Sequence, residues 1–530
     1  MWDKNHTEIS VVRKGGVSSI STSTTRPSRI RPCMASRLSA SPPVGRGFVA
    51  PLRRRPSSGS LTASTDQATD RPVAMSDPKV PASAPDYSSP VLLVGLGDPV
   101  SDILVRLDDP SLAARVFDAC GISEPGGCVP VDSDDDIRSL LSACGEQWIA
   151  GAGSFDQASE SFSEHLPDGN PMEPSYCPGG SAANVAKGVA NLGGDAAFVG
   201  MIGRDDIGAR YRDLLRSQKV RPILLEVDES TENDEANVPP RSAQCLSLVE
   251  KGGQRTMRTY LGASLKMGAS HFDEHVERLA FEGGRGGDAN ANAKSSITPS
   301  SSTLLHVEGY TLYRPELART AMAAAKRRGA LVSLDLASFE VVRNCRAQLT
   351  SLLEDGLVDL LFCNEDEAAE LLGETRAPDA FAREDAGRAM EWMLRYVQVA
   401  TVSLGARGCV TRDRRGDRGV SPGARWVSFC CFRMGNFTDG TCVLCSYRVS
   451  VVDTTGAGDS FTAAFLWAYL RKGSLQACCA CGCAVGTAVV QVLGAELTGG
   501  RWGELRDDLE TVLERDRSRA LDPNYHPQTQ

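Results

Sequence analysis

Short, unbroken apolar runs alternate along this chain with longer stretches whose apolar residues recur every three or four positions. Pro90-Val-Leu-Leu-Val-Gly-Leu-Gly97 is continuously apolar, as strands buried on both faces of a parallel sheet are. Further strands are expected at Ala196–Val199, Leu304–Val307, Leu331–Leu336, Val358–Cys363 and Val399–Leu404. Helices are expected over Pro315–Arg328 and Leu349–Glu354, with another opening at Asp366–Leu372. Val449–Val452 reads as the end of one more buried strand and Phe461–Leu470 as an apolar helix. This βαβα order predicts an α/β fold with helices on both faces of a sheet. Ser242–Glu250 and Thr256–Leu261 instead alternate like a hairpin.

Composition divides the 530 residues unevenly. Between Ile9 and Thr65 there are ten Lys or Arg, no Asp or Glu, many Ser, Thr and Pro, and no apolar h-region. That is the pattern of an organelle transit peptide, plastid or mitochondrial, with a disordered basic tail of a cytosolic protein as the alternative. The expected organisation is a disordered leader at 1–75, a linker at 76–87, a main domain at 88–509 and a tail at 510–530. Within the domain, three stretches read as surface insertions: acidic 226–240, Gly/Asn/Ser-rich 282–303 and irregular, Cys-rich 413–446. Residues 1–75 hold 12 of the 57 basic and 4 of the 67 acidic residues, so the remainder carries 45 against 63, about −18. Such an acidic body does not suit nucleic acid. The longest uncharged run, 473–495, is broken by Gly and Gln, so no membrane span is expected. The seventeen cysteines are scattered through core-like segments and read as reduced thiols; Cys478, Cys479, Cys481 and Cys483 lack the spacing of paired metal knuckles.

The chemistry concentrates in Asp453-Thr-Thr-Gly-Ala-Gly-Asp-Ser-Phe461. Gly456 and Gly458 leave backbone N–H groups unobstructed just where a helix begins, and a helix start carries about half a positive charge. With Ala457 between them they form a candidate anion hole. Asp459 stands at its edge, placed to accept a proton from an attacking hydroxyl. A second motif, Pro178-Gly-Gly-Ser-Ala-Ala-Asn184, continues through Gly193-Gly194 to Gly200-Met-Ile-Gly-Arg-Asp-Asp-Ile-Gly208. Gly179 and Gly180 allow backbone to approach a sugar ring, and Asn184 offers a donor and an acceptor to vicinal hydroxyls. There is no Gly-Lys dipeptide and hence no Walker A loop, and Gly95-x-Gly97 lacks the third glycine of a dinucleotide fingerprint.

These two motifs, about 270 residues apart and in this order, resemble the C-terminal and N-terminal signatures of the PfkB carbohydrate kinase family, which includes ribokinase, fructokinase and adenosine kinase. The resemblance implies a ribokinase-like three-layer α/β/α sandwich with a small β-lid formed in part by residues 242–262. It implies a phosphotransferase that moves the γ-phosphoryl group of ATP to a sugar or nucleoside hydroxyl, and it looks most like a plant and algal branch near adenosine kinase. Asp102, in Gly97-Asp-Pro-Val-Ser-Asp102, resembles the family residue that grips two acceptor hydroxyls. Asn364-Glu-Asp-Glu367 resembles the motif that orders Mg²⁺ through water, with Asn364 also near the nucleotide. Ser403-Leu-Gly-Ala-Arg-Gly408 resembles the strand and turn along the nucleotide, which places Ser403, Gly405 and Gly408 there. Arg255 lies in the expected lid hairpin and is a candidate to neutralise the transferring phosphate, or else an exposed turn arginine. Glu308 ends a strand and either touches substrate or caps. K⁺ is a further cofactor the resemblance admits, and a monomer or a homodimer equally fits. A reading of another class is that the chain, like some plastid proteins of this fold, is a structural partner of the transcription machinery; intact Gly456, Gly458 and Asp459 speak for the kinase.

Overall fold

The computed structural model describes residues 9–10, 21–22, 92–123, 125, 128–149, 175–227, 239–251, 254–282, 303–374, 383–416, 418–421 and 449–520. The chain divides into two units, 1–81 and 82–530. In the first, Ile9–Ser10 pairs antiparallel with Ser21–Thr22; the rest of the leader, the linker at 76–87, and most of the insertions at 226–240 and 282–303 lie outside the described residues.

The second unit is built on a nine-stranded sheet. Its strands run in the order Arg418–Ser421, Cys409–Asp413, Val399–Ser403, Leu360–Cys363, Leu331–Asp335, Thr303–Glu308, Leu92–Leu96, Asp195–Ile202 and Val220–Glu226. All neighbours are parallel except the last hairpin, where Cys409–Asp413 turns back on Val399–Ser403 and pairs with Arg418–Ser421. The alternation of side chains along one strand feeds both layers: Leu305 and Val307 pack with Ala321, Met322 and Leu334 on one face, while Leu304 packs with Phe362, Phe465 and Trp467 on the other. Since Leu92–Leu96 lies between Asp195–Ile202 and Thr303–Glu308, the chain builds outward to both sides of its first strand. The resulting switch point opens a crevice at the carboxyl ends of these strands.

Helix Ala457–Leu470 is buried on nearly every side, which explains why its sequence is apolar without helical periodicity. It lies against helix Ser181–Asn191, where a Cβ on Gly188 would come within 2.5 Å of the Ala463 methyl carbon. This close approach brings the first turns of the two helices together at the crevice.

A second sheet covers the crevice, in the order Cys128–Pro130, Arg255–Tyr260, Gln244–Glu250, Ser101–Leu107 and Ser175–Pro178. The hairpin expected at 242–262 is present, but it is two strands of five. On one face Ile103, Val105, Leu246 and Leu248 are buried under Leu112, Val116 and Phe117 of helix Pro110–Ala119 and Ile137 of helix Asp134–Ile149. By the same alternation Asp102 and Leu104 fall on the opposite face.

Four expectations are corrected. Val449–Val452 is not a strand: Val452 and Asp453 donate to the Val490 carbonyl at 2.8 and 3.3 Å, so this apolar segment docks on the end of a helix rather than in a sheet. The stretch from Asp413 is not irregular at its start, because Arg418–Ser421 closes the edge hairpin; residues 422–448 lie outside the described residues. The helix after the glycine turn begins at Ala457, not Phe461. The final helix, Gly499–Ala520, runs past the expected boundary at 509 because Leu509 and Leu513 are still buried beneath the apolar layer.

Candidate active site

Helix Ala457–Leu470 starts at Gly456, whose φ of 64° is left-handed, and Asp459 falls in its first turn. Ser460 N–H is bonded back to the Gly456 carbonyl at 2.8 Å, so the amides ahead of it have no acceptor within the helix. That of Ala457 is directed to the Thr454 carbonyl at 3.3 Å. A Cβ on Gly458 would meet nothing within 4 Å, whereas one on Gly456 would lie 2.6 Å from the Ala495 methyl carbon. Gly458 therefore faces open space, and Gly456 shapes the turn.

Asp459 accepts hydrogen bonds from Ser181 Oγ and Asn184 Nδ2, each at 2.8 Å. Both donors lie in the first turn of helix Ser181–Asn191, so the two sequence signatures meet on one carboxylate. Two helix N-termini thus converge here, a surrounding that favours anions. Burial raises the Asp459 carboxyl above its usual range, against the bonds from Asn184 and Ser181 and the charges of Lys187 and Arg255.

Gly180, with φ of 94°, turns the chain from the lid strand into that helix. A Cβ on Gly180 would overlap the Asp98 carbonyl, and one on Gly179 would overlap the Asp102 carboxylate. Asp102 belongs to a lid strand rather than to a loop after the first strand, and its carboxylate lies against the Gly179 backbone. Burial pushes it up to about 7, with Lys187 and Arg255 pulling down and Asp459 and Glu496 adding to the rise. From the lid, Arg255 Nη1 donates to Thr455 Oγ1 at 3.0 Å and its Nε lies 3.9 Å from Asp453. Asp453 is fully buried and fixes the turn: it accepts from the Thr455 amide at 2.9 Å and hydroxyl at 2.6 Å, and from the Gly494 amide at 2.9 Å.

Glu308 is resolved as a cap. Its two oxygens accept from the backbone amides of Asp98 (2.7 Å) and Ala182 (2.9 Å), tying the switch point to the helix start, and burial pushes its carboxyl up to about 8.

Asn364 and Glu367 form a capping box on helix Glu365–Leu372: Asn364 donates its backbone N–H (2.9 Å) and Nδ2 (2.7 Å) to Glu367, and Glu367 N–H donates to Asn364 Oδ1 (2.9 Å). Arg407, in the turn between Gly405 and Gly408, pairs with Glu365, so the strand carrying Ser403 and the acidic motif share one rim of the crevice. Gly405 and Gly408 have φ of 51° and 92°.

Two participants were missed in the sequence. Ser181 was quoted inside its motif without a role. Asp335 ends a central strand, the same signal that should mark any crevice carboxylate; it accepts from Thr462 Oγ1 at 3.2 Å, and burial, with the nearby Asp459 charge, pushes it up to about 6. Burial and the Asp335 charge also raise Glu367. Among the described residues no three His, Cys, Asp or Glu side chains are close enough to hold a metal ion directly.

The pfkB family carbohydrate kinase profile matches residues 154–284 and 285–498, and the chain belongs to that family. It is a phosphotransferase with an alcohol group as acceptor and ATP as the expected donor. It is 28% identical to fructokinase-1 of Oryza sativa subsp. japonica over 296 residues, 54% of this chain and 72% of that one. Over 293 residues it is 26% identical to probable fructokinase-3 of Arabidopsis thaliana, 54% and 68% of the two chains. The fold matches the adenosine kinase of Sinorhizobium meliloti with a TM-score of 0.53 at 23% identity, over 80% of this chain and 99% of that one. A probable sugar kinase from Rhizobium etli CFN 42 gives 0.54 at 23% identity, over 80% and 98%. The ribokinase-like α/β/α architecture is thereby shown.

Proposed function

We propose that this protein transfers the γ-phosphoryl group of ATP to a hydroxyl of a sugar or nucleoside, with Asp459 as general base. The observation that carries this reading is the Asp459 carboxylate held by Ser181 and Asn184 at 2.8 Å beside the open space in front of Gly458. Asp102, from the lid, accepts hydrogen bonds from two acceptor hydroxyls, and Asn184 exchanges its bond to Asp459 for one to the acceptor as the reacting hydroxyl arrives. That hydroxyl passes its proton to an Asp459 oxygen as its own oxygen attacks the γ-phosphorus of ATP, the bond from that phosphorus to the bridging oxygen breaks, and ADP leaves with the bonding electrons. Burial strengthens Asp459 as a base near neutral pH. The Gly456 and Gly458 amides and Arg255 face the charge on the transferred group. Asn364 and Glu367, with Asp335, would hold Mg²⁺ through water, and the ion would neutralise charge on the nucleotide phosphates. Ser403, Gly405 and Gly408 would lie along the nucleotide.

The test is ADP release over ribose, fructose, adenosine and inosine, with adenosine and fructose first because the matched proteins are named adenosine kinase and fructokinase. Asp459→Asn should retain ATP binding and lose on the order of 10² to 10⁴-fold in turnover. Turnover near wild type in that variant removes the mechanism. No turnover with any acceptor in the unmutated protein favours the structural-partner role.

A further inference from the structure

Lys187 sits in the second turn of helix Ser181–Asn191 and is only 5% exposed, with the lid strand Ser175–Pro178 against its ammonium group. A lysine is almost never buried to this extent without a partner. Its Nζ donates to Glu496 Oε1 and to the Pro178 carbonyl, each at 2.5 Å. Glu496 is held from its other side by Gln218 Nε2 at 3.3 Å. The carbonyl that Lys187 grips is one residue from Gly179, whose amide donates to Val100 at 2.8 Å and whose carbonyl accepts from Tyr211 at 2.8 Å. The Asp102 carboxylate lies directly on that glycine.

We propose that Lys187, fixed by Glu496 and the Pro178 carbonyl, is a positioning residue for Asp102: it pins the Gly179–Gly180 turn beneath that carboxylate and supplies the buried positive charge that keeps it an ionised acceptor of hydrogen bonds. The inference rests on Asp102 as the acceptor's grip. Every packed element contributes to the local field. Arg255 comes from the next lid hairpin, Asp459 from helix Ala457–Leu470, and Glu496 from the segment after helix Leu475–Val489. Tyr211 comes from helix Asp206–Ser217. Cys177 and Cys245 are the lid-strand residues paired opposite Asp102 on either side. Burial drives both thiols and the Tyr211 phenol upward, so they stay neutral and bring no charge of their own. Burial opposes the charge of Lys187, but Glu496, by its charge and its hydrogen bond, together with Asp102 outweighs it, so Lys187 is raised and stays cationic. Of the two cations, Lys187 acts more strongly on Asp102.

Two opposed charges near one carboxylate make opposite predictions. Protein carrying ¹³Cγ-aspartate, with the Asp102 signal assigned by its loss in Asp102→Asn, gives the titration midpoint directly by NMR. Lys187→Met should move that midpoint upward by about one unit, a tenfold change in the ionisation equilibrium, and Glu496→Gln should move it downward by less. Lys187→Arg should leave it near the wild-type value. The acid limb of kcat/KM for the acceptor found in the turnover screen should move in the same two directions. A purely structural ion pair would lower activity at all pH values and leave the midpoint in place, and an unmoved midpoint in folded Glu496→Gln and Lys187→Arg/Glu496→Gln overturns the inference even if Lys187→Met fails to fold. The NMR experiment needs no acceptor, so its failure leaves the kinase reading standing. An absence of turnover instead removes that reading without touching the titration.

Discussion

Replacing Gly456 and Gly458 by alanine should have opposite consequences, although the two residues are separated by one position in one motif. At Gly456 the left-handed backbone costs an alanine about 1 to 2 kcal/mol. Its Cβ would also approach the Ala495 methyl carbon to 2.6 Å, well inside the roughly 3.5 to 4.0 Å of a carbon contact. Overpacking of that kind costs about 1 to 3 kcal/mol, for a total of roughly 2 to 5 kcal/mol. An unfolding entropy of about 2.1 cal/mol/K per residue over roughly 400 residues makes 1 kcal/mol worth about 1 °C, so Gly456→Ala should lower Tm by roughly 2 to 5 °C. Gly458 is helical, and its Cβ would meet nothing; Gly458→Ala should leave Tm within about 1 °C. It should nevertheless weaken ATP use, because a methyl group would occupy the open space in front of the helix. Ala495 itself has φ of 60°, so Ala495→Gly is neutral or stabilising and removes the atom that Gly456→Ala strikes. A double-mutant cycle should return about 1 to 3 kcal/mol of coupling. Differential scanning fluorimetry, urea unfolding and ADP release read these quantities. A Gly456→Ala protein as stable as wild type, or no coupling to Ala495→Gly, would refute the geometry.

Asp102 has its folded pKa raised to about 7, so its contribution to stability is complete below about pH 4 and is lost as pH rises through 7, by at most about 1.4 kcal/mol per unit. Urea midpoints of Asp102→Asn against wild type from pH 4 to 8 should converge at the acid end and separate in favour of the variant at the alkaline end. Burial pushes His306 down to about 3, the opposite sign: its contribution is present above about pH 6.5 and is lost as pH falls below that, and His306→Gln should flatten that acid loss. Asp359 is buried and accepts from Lys326 Nζ at 2.8 Å, Val332 N–H at 2.9 Å and Gln398 Nε2 at 3.0 Å; Asp359→Ala should cost about 3 to 5 kcal/mol in urea unfolding. Deleting residues 1–75 should leave Tm and ATP-dependent turnover unchanged, and an aggregated or inactive product would assign the leader to the domain.

Strands of the central sheet were legible because burial on both faces leaves an uninterrupted apolar run, as at Leu92–Leu96 and Leu360–Cys363, with ends within a residue or two. The same signal misled at Val449–Val452, since an apolar run shows that a segment is buried and says nothing of what its backbone bonds to. Lid strands Cys128–Pro130 and Ser175–Pro178 were invisible: three or four residues cannot display a period, and the partners that define them are distant in sequence. Asp459, Asn184 and the glycines were readable because a helix start beside glycines has one chemical meaning whatever surrounds it. Lys187 and Asp335 were not, because burial and a neighbour's charge are what give them significance.

The meeting of Asp459 with Ser181 and Asn184 has a consequence for how the molecule comes into being. These partners are 278 and 275 residues apart, so during synthesis the lid, the first helix and most of the sheet emerge long before the base does. Until helices Ala457–Leu470 and Leu475–Val489 arrive, Leu304, Phe362 and Val399 of the sheet and the apolar side of helix Ser181–Asn191 that faces those helices lack the layer that covers them in the finished fold. A chain cut short anywhere before 457 is therefore both sticky and incapable of chemistry, and the closing steps of translation complete the apolar layer and the reactive centre in one event.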